Sequence, residues 1–189
     1  MLLALLSPAF AVVGVILQPS GLPLIYSDQI LQCPNEAGEG RYLKSWTNGH
    51  KQVRGDCAGG IATGDWTGWY ENGEKMWKAS LINGKFEGTW KSWHENGEVY
   101  AKTTYANGLL EGKFRSWHAN GQLAARGVSE AGAQQGCWKS WTSEGGPESS
   151  GAYMDGKKVG RWFYWSGGQR RKEILGGEAD NGQCLFPLL

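Results

Sequence analysis

Proline is scarce in this chain, with six residues in 189, and histidine and methionine occur three times each. An excess of one charge is missing too. The 19 Lys+Arg nearly cancel the 18 Asp+Glu, leaving +1 and no strong overall field to attract nucleic acid. The four cysteines, 33, 57, 137 and 184, contain no C-x-x-C, which argues against a zinc knuckle or a thioredoxin-type site. There is no Gly-x-Ser-x-Gly elbow, no Gly-x-x-x-x-Gly-Lys-Ser/Thr phosphate loop and no His-Glu-x-x-His. No apolar stripe at helical spacing is sustained anywhere in the repeat region described below. The expectation is therefore a protein that is not an enzyme, with no catalytic, metal-ligating or cofactor-binding residues.

What is plentiful is glycine, 30 residues or about twice the usual share, together with 11 tryptophans. Disordered glycine-rich chains are poor in aromatics, and collagen needs glycine at every third position, so neither applies. The glycines are spaced by a repeat. The segment beginning at Asn83, NGKFEGTWKSWHENGEVYAKTTYA, aligns without a gap on that beginning at Asn107, NGLLEGKFRSWHANGQLAARGVSE. The same 24-residue register gives starts at Asn35, Gly59, Asn83, Asn107, Ala131 and Asp155. One column then holds Gly40, Gly64, Gly88, Gly112, Gly136 and Gly160. Two places later stands an aromatic column: Tyr42, Trp66, Trp90, Phe114, Trp138 and Trp162. A second column holds Trp69, Trp93, Trp117, Trp141 and Trp165, with Ser45 in the first unit and Trp46 one place late.

Asn-Gly and Asp-Gly pairs punctuate the units, at Asn48-Gly49, Asn72-Gly73, Asn83-Gly84, Asn96-Gly97, Asn107-Gly108, Asn120-Gly121 and Asp155-Gly156. Such pairs supply the positive φ angles of tight hairpins. Between them, stretches such as Val99 to Tyr105 alternate as strands do. The fold expected is all-β, an extended single-layer antiparallel meander of 24-residue hairpin repeats, with about twelve strands in a ribbon about 55 Å long. The glycines Gly64, Gly88, Gly112, Gly136 and Gly160 are read as turn glycines. Trp90 and Trp93, three apart, fall on opposite faces of a regular strand or on one face if a bulge intervenes.

These motifs carry a resemblance. The run Gly64-Asp65-Trp66-Thr67-Gly68-Trp69-Tyr70-Glu71-Asn72-Gly73 and the connector Asn83-Gly84-Lys85-Phe86-Glu87-Gly88 resemble the MORN-variant repeat. That repeat is typical of bacterial proteins grouped as YwqK-family antitoxins, and the likeness extends over residues 35–178. It implies a non-catalytic interaction module, an antitoxin- or immunity-like partner of a toxin at the bacterial cell envelope. The alternative is a module binding envelope carbohydrate or a cell-wall ligand through its tryptophan rows. The second column, Trp69, Trp93, Trp117, Trp141 and Trp165, supplies either an interaction surface or sheet packing.

In related repeat proteins a Cys-Pro start, here Cys33-Pro34, precedes a second cysteine just before the first well-formed repeat. The resemblance thus implies a Cys33–Cys57 disulfide, although two strands in a regular ladder lie farther apart than a disulfide spans, so Cys33 would have to fold back. Cys137 and Cys184 can pair only if the tail folds over the sheet. His94 and His118 occupy one repeat column and read as surface residues, and His50 has no evident partner. No charged side chain precedes Asp28. Residues 1–27 are therefore read as a signal peptide or membrane anchor, with a buried strand pair as the alternative, and residues 28–34 as a linker. The tail, 179–189, is expected to pack on the last repeat. The location expected is extracytoplasmic, secreted or anchored by the N-terminus.

Overall fold

The structure, a computed structural model, describes residues 31–33, 39–167, 169–175 and 184, and the backbone of 16–17 and 23–24. Strands β1 (Ile16–Leu17) and β2 (Pro23–Leu24) pair with each other. The units begin with β3 (Gly40–Ser45), β4 (Lys51–Ala58), β5 (Ile61–Trp69) and β6 (Lys75–Ile82). They continue with β7 (Lys85–Trp93), β8 (Val99–Ala106), β9 (Leu109–Leu110), β10 (Gly112–Trp117) and β11 (Leu123–Glu130). The last four are β12 (Ala133–Trp141), β13 (Pro147–Met154), β14 (Lys157–Ser166) and β15 (Gln169–Leu175). From β3 to β15 these 13 strands form one open antiparallel sheet in chain order, with β9 on β8 just ahead of β10. The all-β meander of hairpin repeats read from the sequence is what is observed.

Two kinds of turn alternate, and they use Asn-Gly differently. At Asn83-Gly84 and Asn107-Gly108 both residues have positive φ, 50° and 75° in the first and 51° and 84° in the second, as a two-residue type I′ hairpin demands. At the opposite margin only the glycine does, as at Gly73 and Gly97. There the asparagine works through its side chain. Asn96 Oδ1 accepts the Glu98 N–H, and its Nδ2 donates to the Ala119 carbonyl in the next unit.

The glycines expected in turns, Gly64, Gly88, Gly112, Gly136 and Gly160, instead lie in strands β5, β7, β10, β12 and β14. Their φ is positive, 75° at Gly88. Each marks a bulge. Ser80 pairs with Glu87 and Lys78 with Lys91, so Gly88, Thr89 and Trp90 stand opposite Ala79 alone. The wrong placement came from equating positive φ with a turn, although a bulge demands the same backbone. A Cβ at Gly88 would meet nothing within 4 Å, so substitution there acts through backbone strain alone. Gly88→Val is expected to cost about 1–3 kcal/mol, and Gly88→Asn less, in chemical denaturation. Equal midpoints for Val, Asn and glycine would contradict this.

Beyond the bulge the strand alternates regularly. Trp90 and Ser92 are buried while Lys91 and Trp93 are half-buried, so the two tryptophan columns occupy opposite faces. The first column forms the inner face, where Trp66 and Trp90 are fully buried and Tyr42, Phe114, Trp138 and Trp162 nearly so. Among the described residues no second layer covers this face, so the indoles lie against the neighbouring strand, and that strand must leave room. A Cβ at Gly55 would sit 2.0 Å from Trp66, at Gly127 2.2 Å from Trp138, and at Gly151 2.3 Å from Trp162. Neighbouring units also touch directly, as Trp77 stacks on Trp90 at 5.3 Å.

Both ends are tied to the sheet. Leu31 N–H donates to Gly84 C=O and Cys33 N–H to Gly60 C=O, so residues 31–33 run back across successive hairpin tips. This is the fold-back that a Cys33–Cys57 bond requires, and the disulfide is present, as is Cys137–Cys184. Cys57 belongs to the inner-face cluster with Tyr42 and Trp66. Cys137 precedes the inward Trp138 and so faces outward, where the Cys184 carbonyl accepts from buried Ser150. Cys184 thus rests on the fifth unit. The two disulfides clamp the two ends onto opposite faces. The readings of residues 1–27 and of 179–189 otherwise fall outside the described residues. Among those described, no helix is long and apolar enough to cross a membrane.

Candidate functional site

Strand alternation brings Trp69, Trp93, Trp117, Trp141 and Trp165 together on the outer face, all half-buried. Equivalent rings lie two strands apart, about 10 Å. Lysines lean over some of them. Lys51 is 5.6 Å from the Trp69 ring, Lys75 and Lys91 are 6.0 and 4.9 Å from Trp93, and Arg126 is 5.5 Å from Trp141. At Trp117 the equivalent of Lys51 and Lys75 is Val99, and among the described residues no cation covers the ring.

A second feature of the outer face lies in its pairing register. Lys78 is directly opposite Lys91, Lys91 opposite Lys102, and Lys102 opposite Arg115. Arg115 is opposite Arg126, and Arg126 opposite Lys139. Six cations on six adjacent strands thus form one line across the sheet, about 24 Å long. Lys78 is held by Asp65 at 2.9 Å, and the Asp65 carboxyl is kept below its usual range by the Ser80 hydroxyl and then by Lys78. Among the described residues, Lys91, Lys102, Arg115 and Arg126 form no ion pair. Acidic side chains collect at the strand ends instead. Glu71, Glu74, Glu95, Glu98 and Glu144 stand on one margin, Glu39, Glu87 and Glu111 on the other.

The two features meet in a shallow cleft of about 300 Å³ lined by Lys91, Lys102, Trp117 and Val99, with Glu98 and Gly121 at its turn end. It contains an uncovered indole and two directly opposed ammonium groups, a combination suited to a ring that carries negative charge.

Side chains on the turn margin tie neighbouring units together. Trp46 Nε1 donates to the Trp69 carbonyl, Tyr70 Oη to Trp93, His94 Nε2 to Trp117 and His118 Nε2 to Trp141, at 2.8–3.1 Å. A carbonyl can only accept, so Nε2 carries the proton in both histidines. Trp46 therefore belongs to the column of Tyr70, His94 and His118 and is no displaced member of the Trp69 column. The two histidines bind neighbouring units together instead of lying idle at the surface. His50 also has a partner, the Glu71 carbonyl at 2.8 Å from Nδ1. Inside, burial pushes the Tyr105 phenol well above its usual range.

The repeat can now be compared with known families. Residues 86–107 and 110–128 match the MORN repeat variant. These two matched stretches contain Lys91, Lys102, Arg115, Arg126, Trp93 and Trp117, the middle of the cation line and the cleft. MORN repeats serve as non-catalytic interaction scaffolds. No curated protein matches the chain. The cation line escaped the sequence reading because its members occupy two separate columns, Lys78/Lys102/Arg126 and Lys91/Arg115/Lys139. Each column was visible in the 24-residue register, and only their pairing was not.

Proposed function

We propose that this protein is a non-catalytic interaction scaffold that works outside the reducing cytosol and meets its partner on the outer, tryptophan-and-cation face. The line from Lys78 to Lys139 carries the reading. Like charges directly opposed across strands destabilise a sheet, so the line detracts from folding, and an anionic partner laid on it would offset that repulsion. Two disulfides support an oxidising compartment, since cytosolic thiols are kept reduced. Taken with the family likeness, this reading includes an immunity-like contact with an acidic toxin at a bacterial envelope. A carbohydrate ligand is the second reading, and the cleft at Trp117 favours it.

Lys102 stands between Lys91 and Arg115, so Lys102→Glu converts two repulsive oppositions into two attractive ones. The variant is expected to be more stable by about 1 kcal/mol, a gain of about 2–4 °C in Tm. At the same time the immobilised variant should retain much less extracytoplasmic material than the wild type. Full retention by a folded Lys102→Glu/Arg115→Glu protein would overturn the assignment of this face.

A further inference from the structure

We infer that the outer face binds a linear acidic polysaccharide, laid across the strands along Lys91, Lys102, Arg115 and Arg126, with one acidic sugar ring in the cleft against Trp117. The inference rests on the face assignment above and names its ligand. Three observations select this chemistry.

The first is periodicity. The cations recur once per strand, about 4.8 Å apart, and the tryptophans once per unit, about 10 Å apart. A row of constant pitch suits a ligand that itself repeats.

The second is shape. The line runs between two strand-end margins that carry carboxylates, Glu71, Glu74, Glu95 and Glu98 on one side and Glu87 and Glu111 on the other. A broad anionic surface such as a bilayer would be repelled by those margins, whereas a single polymer chain lies between them. The third is the cleft. The Trp117 ring presents a flat apolar surface to a sugar ring, Lys91 and Lys102 beside it meet a carboxylate or sulfate, and Glu98 at the turn end accepts from sugar hydroxyls, so the acidic group points toward the lysines. Single-stranded nucleic acid would also combine charge with stacking, but the two disulfides point to a compartment outside the cytosol.

The test is binding of the full, oxidised chain to polygalacturonate, with dextran as a neutral control. Vesicles of phosphatidylglycerol, oligo-dT and polyglutamate are titrated in parallel. Polygalacturonate is expected to bind most tightly, with affinity falling as salt rises, and dextran not to bind. Lys102→Gln/Arg115→Gln should weaken binding about tenfold or more, and Trp117→Ala about tenfold. Thr104→Ala, an exposed outer-face control away from the line, should bind as the wild type does. Tighter binding to vesicles, oligo-dT or polyglutamate would overturn the polysaccharide, as would unchanged affinity in the folded Gln/Gln variant. If polygalacturonate fails while Lys102→Glu still abolishes retention of extracytoplasmic material, the ligand class falls and the face assignment stands. If both fail, the face assignment falls as well.

Discussion

Gly55→Val is expected to lower stability by about 3–5 kcal/mol, as much as removing a buried tryptophan. The glycine is not in a left-handed conformation. Its role is to leave space, because a Cβ there would stand 2.0 Å from the Trp66 ring and Trp66 is fully buried. The indole must leave its place or the two strands must part, and among the described residues no second sheet packs on this face to absorb the shift. The chain itself offers a compensated version. In another unit the corresponding positions hold Thr103 and Phe114, a larger residue facing a smaller ring. Gly55→Thr alone should therefore be strongly destabilising, and Gly55→Thr/Trp66→Phe should recover much of the loss. Denaturant midpoints for the four members of this double-mutant cycle measure the coupling. An additive double variant would show that ring and glycine do not share one space.

Loss of either disulfide is expected to cost about 3–4 kcal/mol, from the freedom regained by an unfolded chain no longer closed over 24 or 47 residues. The two losses should differ in where the sheet opens. Cys33→Ser releases the segment that covers the tips at Gly60 and Gly84, so amide exchange should quicken in β4 and β5. Cys137→Ser releases Cys184 from Ser150 and should expose β12 and β13. Thermal melts with and without reductant, combined with amide exchange, test both. A Tm unchanged on reduction would show that the ends are held by other contacts. Four free thiols in oxidised protein would remove the disulfides, and with them the argument for an oxidising compartment.

The repeat, its period and the all-β class were legible because hairpin chemistry is local. An Asn-Gly pair followed by alternating residues specifies a turn and a strand wherever it occurs. The Gly55–Trp66, Gly127–Trp138 and Gly151–Trp162 pairs were legible in principle too, since each glycine precedes its tryptophan by 11 residues. They were missed because the larger Ala79 and Thr103 interrupt the glycine column. Asn96 was assigned to positive φ when its side chain instead ties two units together. That difference depends on whether the hairpin loop has two residues or three, which the dipeptide alone does not specify.

The sequence by itself determined the ribbon, in its 24-residue unit, its hairpin turns and the two aromatic columns. Which cations face one another was decided only by the tertiary structure. From the turn at Asn83-Gly84, a regular ladder would place Lys78 opposite Thr89 and leave Lys91 beyond it. The bulge at Gly88 advances the register by two residues and brings Lys78 against Lys91. A two-residue shift keeps every side chain on its own face, so the hydrophobic pattern fits both registers equally and cannot distinguish them. The flat seat of Trp90 over Ala79 selects between them. That packing choice on the inner face aligns the charges on the outer one.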